Sequence, residues 1–342
     1  MINLPQSKIM QNWGTDNSDV PLVSVSCITY NHEPYIAQAL DGFLMQKTNF
    51  PFEVIVHDDA STDRTAEIIR EYEARFPKII KPIYETENQY SKHDGSLERI
   101  MDAACKGKYI AFCEGDDYWI DENKLQMQMD FLEGNPEYSA YYSNIDGIDE
   151  QGKSFHYPYK VYPLYPNHIV SQSCPLFFSP VGQTATCMIR ASVLFKYPRH
   201  PLLANGDVVT SCLARASGNV FYSVRQLARH RKVFTGDSYT ARTHNKDMTL
   251  WCYKSFMELF EWSKNELGKS YSDETVFLFS FIFQKIKMCL KKPSLRNIME
   301  TFEMLRLCPF KRRLFSLFVN RKENGRLMNE NVWQYRYNGG GV

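Results

Sequence analysis

The chain has 342 residues, with 40 Lys+Arg against 39 Asp+Glu and a formal net charge of +1, so no polyanion is drawn to it by net charge and nucleic acid is not an expected partner. Its nine cysteines (Cys27, Cys105, Cys113, Cys174, Cys187, Cys212, Cys252, Cys289 and Cys308) form no CxxC pair and no disulfide-framework spacing, which fits a reducing cytoplasm. The first twenty residues lack the apolar core of a signal peptide, and no run approaches the ~18 apolar residues of a bilayer span, so the expectation is a cytoplasmic protein, peripheral to a membrane at most.

In chain order, "LVSVSCITY" (22–30) alternates β-branched and small residues and ends in polar Thr29, Tyr30 and Asn31, as a buried strand opening onto a loop does. The segment "EPYIAQALDGFLMQ" follows, with Pro34 suited to a first helical turn and Ile36, Ala39, Leu40, Phe43 and Leu44 on one helical face. A second strand, "FEVIVHDD", precedes "STDRTAEIIREYEARF", where Asp63 is a candidate N-cap and Ile68, Ile69, Tyr72 and Phe76 a core stripe. "IIKPIY" is a weaker strand, "SLERIMDAAC" a helix with Leu97, Ile100, Met101 and Ala104 inward, Gly107 its expected terminator, and "YIAFC" the next buried strand. This alternation predicts an α/β fold, a Rossmann-like, mostly parallel sheet with helices on both faces.

Ligands of such sheets bind in the crevice beyond the carboxyl ends of the strands. Three polar clusters fall there: Thr29-Tyr30-Asn31, His57-Asp58-Asp59 and Glu114-Gly115-Asp116-Asp117, the last within "FCEGDDYW". Carboxylates so placed suit a hard divalent cation, Mg²⁺ or Mn²⁺, which prefers oxygen ligands and bridges substrate phosphates.

The stretches "VSVSCITYNHEPYI", "EVIVHDDASTDRT" and "KYIAFCEGDDYW" stand in the order and spacing of the family 2 glycosyltransferases, inverting enzymes with the A-type nucleotide-sugar fold, in their EGDDYW form. The resemblance continues through "GQTATCMIRASVL" and "NGDVVTSCLARASGNVFYSV" to "RHRKVFTGDS". It implies a catalytic domain over 21–238, an N-terminal extension over 1–20 and a helical region over 239–342. It also implies a nucleotide-sugar donor, a UDP-sugar by preference, held by Thr29, Tyr30, Glu33, Asp59, Glu114 and Gly115. Asp59 would accept the imide N–H of uracil or thymine, Asp116 and Glu114 would ligate Mn²⁺ or Mg²⁺, and Asp117 would hold the loop or cap the helix announced by Leu125, Met129 and Leu132. Asp207 would be the base that deprotonates the acceptor hydroxyl; an N-cap role is the alternative. The acceptor would be a bacterial surface glycan or a lipid-linked glycan.

Two segments depart from the family's pattern. Where a closing Tyr-Arg-X-His is usual, this chain has His230-Arg231-Lys232-Val233, so Val233 stands at the histidine's place and His230 is the candidate substitute. "ENQYSKHDGSLERI" is longer and more polar than its counterpart. The Pro- and aromatic-rich Tyr157–Gly182 stretch is a candidate acceptor platform. Beyond Ser238 the sequence turns helical, aromatic and basic, which admits a helical cap, an oligomer surface or a patch on an anionic membrane leaflet, the last suited by "FKRRLFSLFVNRK". The alternatives to a transferase are a sugar nucleotidyltransferase and a binding module without chemistry. Against the first, "TYNHEPYIAQ" lacks the Gly-rich basic loop that holds a triphosphate.

Overall fold

The computed structural model describes residues 2–14, 20–155, 169–170, 182–196, 206–234, 249–268 and 274–308. The chain divides into two compact units, residues 1–174 with 178–233, and residues 175–177 with 234–342.

The first unit is built on strands β1 (Val23–Thr29), β2 (Phe52–Asp58), β3 (Ile80–Tyr84) and β4 (Tyr109–Phe112), all parallel in the order β3-β2-β1-β4. Every residue of β2 is buried, as is all of β1 but Ile28, as a parallel sheet covered on both faces requires. The crossover helices are α2 (Ile36–Leu44), α3 (Thr65–Arg75) and α4 (Ser96–Ala104), after the four-residue α1 (Gln6–Ile9) near the N-terminus. The expected stripe of α2, Ile36, Ala39, Leu40, Phe43 and Leu44, has no solvent exposure at all, and Ile69, Tyr72 and Phe76 are equally buried from α3. Asp63, expected as the N-cap of α3, stands one residue before the N-cap position, which Arg64 takes, and accepts from the Thr65 amide at 3.0 Å. The N-terminal segment docks on this unit, with Ile9 buried and the Trp13 indole N–H donating to Thr48 Oγ1 at 2.9 Å.

Past β4 the sheet becomes mixed. Strand β9 (Met188–Arg190) lies antiparallel between β4 and β6 (Tyr138–Ile148), β6 runs parallel to β10 (Asn219–Arg231), and the two-residue β5 (Tyr118–Trp119) closes that edge antiparallel to β10. Two further short strands, β7 (Ser154–Phe155) and β8 (Ile169–Val170), pair with β6 and β10. Helix α5 (Lys124–Gly134) buries Leu125, Met129 and Leu132 as expected, and after β9 come α6 (Ala191–Leu194) and α7 (Gly206–Ser217).

Gly107 corrects one expectation. Helix α4 ends at an extended Cys105, and Gly107 serves a close approach: a Cβ there would meet the Ser24 amide nitrogen and come within 2.7 Å of the Val23 carbonyl carbon. The glycine is needed because β1 passes against it.

The second unit contains α8 (Thr249–Glu266), α9 (Glu274–Lys291) and α10 (Leu295–Leu307), which pack on one another. Tyr253, Phe260, Trp262, Ile282 and Met304 are buried in it, Phe256 stacks on Phe281 at 5.8 Å, and Ser294 caps α10 by accepting from the Asn297 amide at 3.2 Å. Among the described residues, no helix is long and apolar enough to cross a membrane. The segment "FKRRLFSLFVNRK", nearly all of Tyr157–Gly182 and the expected boundary at Ser238 lie outside the described residues.

Candidate active site

Because β1, β2 and β4 are parallel, their carboxyl ends share one edge and deliver the three polar clusters to it. Pairing between β1 and β4 continues past the strands, through Cys113 N to Ser26 O at 3.1 Å and Gly115 N to Ile28 O at 2.9 Å. This draws Gly115 against the buried Thr29, so closely that a Cβ on Gly115 would lie 2.5 Å from Thr29 Oγ1 and 3.0 Å from His32 Nδ1. Thr29 Oγ1 and His32 Nδ1 are themselves hydrogen-bonded at 3.0 Å, and His32 Nε2 faces Asp116 Oδ2 at 3.9 Å.

The loops after β1 and β2 are tied together. Asn31, in the left-handed region at φ 52°, donates its amide to Ser61 Oγ at 2.9 Å and accepts from the Thr62 amide at 2.8 Å. Glu33 donates its amide to Asp63 Oδ2 at 3.0 Å while its carboxylate accepts from the Arg64 amide at 3.2 Å. Half-buried Tyr30 stands at the end of β1. Asp59, 1% exposed, accepts the Gln89 amide on Oδ1 at 2.6 Å and the Tyr90 amide on Oδ2 at 3.0 Å, so it fixes the loop that follows β3. Each of its oxygens keeps a second lone pair. Beside it Asp58 is buried, and desolvation raises its carboxyl above the usual range.

The acidic loop after β4 holds two kinds of carboxylate. Asp117, 3% exposed, accepts from the Arg231 amide at 2.7 Å and so holds the loop, one of its two expected roles. Glu114 is pushed up to about 7, first by burial and then by the charge of Asp116, with the charge of Asp207 adding to it. Asp207 lies in the first turn of α7, accepts from the Val208 amide at 2.8 Å, and has its own carboxyl raised by burial. The charge of Asp207 thus reaches Glu114, although about 90 residues separate the motif from α7.

Arg231 clamps this loop. Its guanidinium donates to the Asp116 carbonyl at 3.0 Å, to the Asp149 carbonyl at 3.3 Å and to Gln38 Oε1 at 2.8 Å, and it lies 4.5 Å over the Tyr35 ring. Below, Trp119 donates its indole N–H to the Ala185 carbonyl at 2.9 Å, and the buried Lys124 ammonium sits 4.0 Å over the Trp119 ring, bonded to Gln128 Oε1 at 2.9 Å. Burial pulls that lysine down to about 7.

Sequence reasoning gave no role to His32, Thr184 or Arg231. Thr184, whose hydroxyl bonds Glu114, and Arg231 are distant in sequence from what they touch. His32, three residues beyond Thr29, had a local signal. Val233, at the family's histidine position, is 8% exposed and buried; His230 is pulled down to about 4 by burial, with Asp116 opposing.

Among the described residues, no group of three or more His, Cys, Asp or Glu side chains is arranged to hold a metal ion. Glu114 and Asp116 are two oxygen donors whose mutual repulsion is already visible in Glu114. That set fits Mg²⁺ or Mn²⁺, which take one or two carboxylates and complete their shell with water and phosphate oxygens.

The fold is a Rossmann-like, mostly parallel α/β domain with its acidic loop at the carboxyl ends of the strands. Residues 24–196, just over half of the chain, match the family model "Glycosyl transferase family 2", and the chain belongs to that family. Over 130 residues it is 45% identical to an uncharacterized protein of Mycobacterium tuberculosis (strain ATCC 25618 / H37Rv), spanning 38% of this chain and 37% of that one. Over 125 residues it is 34% identical to the Bacillus subtilis (strain 168) protein TuaG, named for teichuronic acid biosynthesis, spanning 36% of this chain and 44% of the relative. The matches thus span less than half the length of these relatives. Among solved structures, Staphylococcus aureus TarS 1–349 superposes with a TM-score of 0.60 at 18% identity, covering 86% of this chain and 82% of that one. The mannosyltransferase PcManGT from Pyrobaculum calidifontis, solved with GDP-Man and Mn²⁺, gives 0.54 at 15% identity, covering 96% and 94%. At these identities the likeness concerns the fold.

Proposed function

We propose that the chain is an inverting, metal-dependent glycosyltransferase that moves a sugar from a nucleoside-diphosphate donor, a UDP-sugar by preference, to a hydroxyl of a bacterial surface glycan. The observation that carries this is the acidic loop Glu114–Asp117 at the carboxyl end of β4, in the same parallel sheet as β1 and β2, with the charges of Asp116 and Asp207 both acting on Glu114. The named relatives agree in kind: TuaG, named for teichuronic acid biosynthesis, a chondroitin synthase of Escherichia coli at 29% identity over 43% of this chain, and TarS, which has been solved with UDP-GlcNAc.

In this reading Thr29 and Tyr30 border the base, Gly115 lets the acidic loop close against Thr29 beside it, and Asp59 offers its remaining lone pairs to an imide N–H. Glu33 supports the rim through its bonds to Asp63 and Arg64. Asp116 and Glu114 hold the cation, which when bound supplies positive charge to the departing diphosphate. Asp207 takes the proton of the acceptor hydroxyl as that oxygen attacks the anomeric carbon opposite the leaving group; burial raises its affinity for that proton.

The test is nucleotide binding followed calorimetrically with and without Mn²⁺. UDP is expected to bind more tightly with the ion than in EDTA, Asp116→Asn to abolish the difference, and CDP to bind more weakly than UDP because cytosine lacks the imide donor. Equal UDP affinity in EDTA sinks the metal assignment, and a preference for CDP or GDP sinks the base assignment.

A further inference from the structure

Helix α10 presents an apolar stripe to solvent. Leu295, Ile298, Met299 and Phe302 fall at i, i+3, i+4 and i+7, one side of a helix, and are 74%, 42%, 63% and 69% exposed; Leu290, at the end of α9, is 79% exposed. The opposite side of α10 is engaged: Met304 is fully buried and Thr301 Oγ1 lies 3.1 Å from Cys289 Sγ on α9.

Charge sorts along the same division. Among the described residues from 284 to 308, the exposed charged side chains are Lys287, Lys291, Lys292, Arg296 and Arg306, all basic. The two acids of the stretch are less exposed and paired with cations, Glu300 with buried Lys285 and exposed Arg296, Glu303 with Lys254 at 2.6 Å. The outer surface is therefore apolar along the helix, with cations near both ends.

We propose that this face of α9 and α10 rests on an anionic lipid bilayer, with Leu295, Met299 and Phe302 entering the headgroup and acyl boundary and Lys291 and Lys292 meeting lipid phosphates. A large apolar side chain every turn with basic flanks is the composition of an interfacial helix. Between 284 and 308 every exposed charged side chain is basic, which complements a negative surface. The inference rests on α9 and α10 alone and stands apart from the donor and the metal of the proposed reaction. It gives the chain a means of working at a membrane surface.

The experiment is cosedimentation of the full chain with vesicles of phosphatidylcholine alone and of phosphatidylcholine mixed with phosphatidylglycerol. The chain is expected to sediment with the mixed vesicles, more weakly as salt rises, and not with the neutral ones. Lys291→Gln with Lys292→Gln should lower partitioning roughly 30-fold, about fivefold per lysine. Met299→Ser with Phe302→Ser should lower it by roughly tenfold or more while circular dichroism and nucleotide affinity stay unchanged. Equal binding to neutral vesicles, no binding to anionic ones, or unaltered binding by either double variant overturns the proposal. A concentration-dependent dimer that Met299→Ser with Phe302→Ser dissolves would assign the face to a second copy instead.

Discussion

Replacing Gly115 by alanine perturbs the crevice at its tightest point. The added carbon would stand 2.5 Å from Thr29 Oγ1, 2.7 Å from Thr29 Cβ and 3.0 Å from His32 Nδ1, against an ordinary contact of about 3.5–4.0 Å. Thr29 cannot yield easily, since it ends the buried β1, 1% exposed and in register with Asp58. Nor can the loop lift away without breaking Gly115 N to Ile28 O at 2.9 Å. An overpacked site of this kind costs about 1–3 kcal/mol. For a unit of this size that lowers Tm by about 2–12 °C. A displacement of about 1 Å in Thr29 and the acidic loop also predicts a loss of transfer near 10²-fold. Thermal unfolding and UDP titration measure both effects. Adding Thr29→Gly removes the two nearest atoms, so the combined loss should be smaller than the sum of the single losses. A Gly115→Ala chain with wild-type Tm and wild-type UDP affinity would refute the reasoning.

Three other perturbations follow from the same geometry. Lys124, pulled down to about 7 in the fold, titrates near ~10.4 in the unfolded chain, so the unfolded state binds more protons between those values and stability should rise as pH goes from about 7 toward 10. Lys124→Met should lose that rise in a pH series of thermal melts, and an unchanged slope would remove the assigned cause. Arg231→Lys should not rescue the stability lost in Arg231→Ala, about 2–4 kcal/mol, because the planar fork reaches Asp116, Asp149 and Gln38 together; denaturant unfolding tests this, and a fully stable lysine variant contradicts it. Asp207→Asn should keep the fold and UDP affinity yet lower transfer by ~10²–10⁴, and the wild-type rate should fall with acidity above the usual aspartate range, because the raised carboxyl must be ionised to act; near-normal turnover by the folded variant ends the base assignment.

The strand ends and helix faces were legible because their signals are local. Ile36, Ala39, Leu40, Phe43 and Leu44 announce one buried face within nine residues, and each strand end announces its polar cluster. The antiparallel β9 and the two-residue β5 were not, since a strand of two or three residues carries no period to detect. Gly107 was misread because a glycine after a helix suits a C-cap and a tight crossing equally well, and only the path of β1 distinguishes them. The engagement of Asp59 by the Gln89 and Tyr90 amides spans about thirty residues of sequence and leaves no mark in the motif itself.

The division of labour among the acids explains how so much negative charge is held in one place. Asp59 and Asp117 are 1% and 3% exposed and accept from backbone amides, Asp59 on both oxygens and Asp117 on Oδ1, so each fixes a loop, while Asp59 keeps a further lone pair on each oxygen. Glu114, Asp116 and Asp207 are left partly accessible, with 23% of the Asp116 side chain exposed. Three such groups repel one another, and a loop free to move would simply separate them. It does not, because Arg231 grips the loop by the Asp116 carbonyl and leaves the Asp116 carboxylate alone, while its own amide holds Asp117. The cation of the clamp is thus directed at the Asp116 carbonyl and not at its carboxylate. In the proposed reaction a divalent ion or a substrate proton would meet acids already positioned against their own repulsion, which is the preorganisation that transfer chemistry demands of its scaffold.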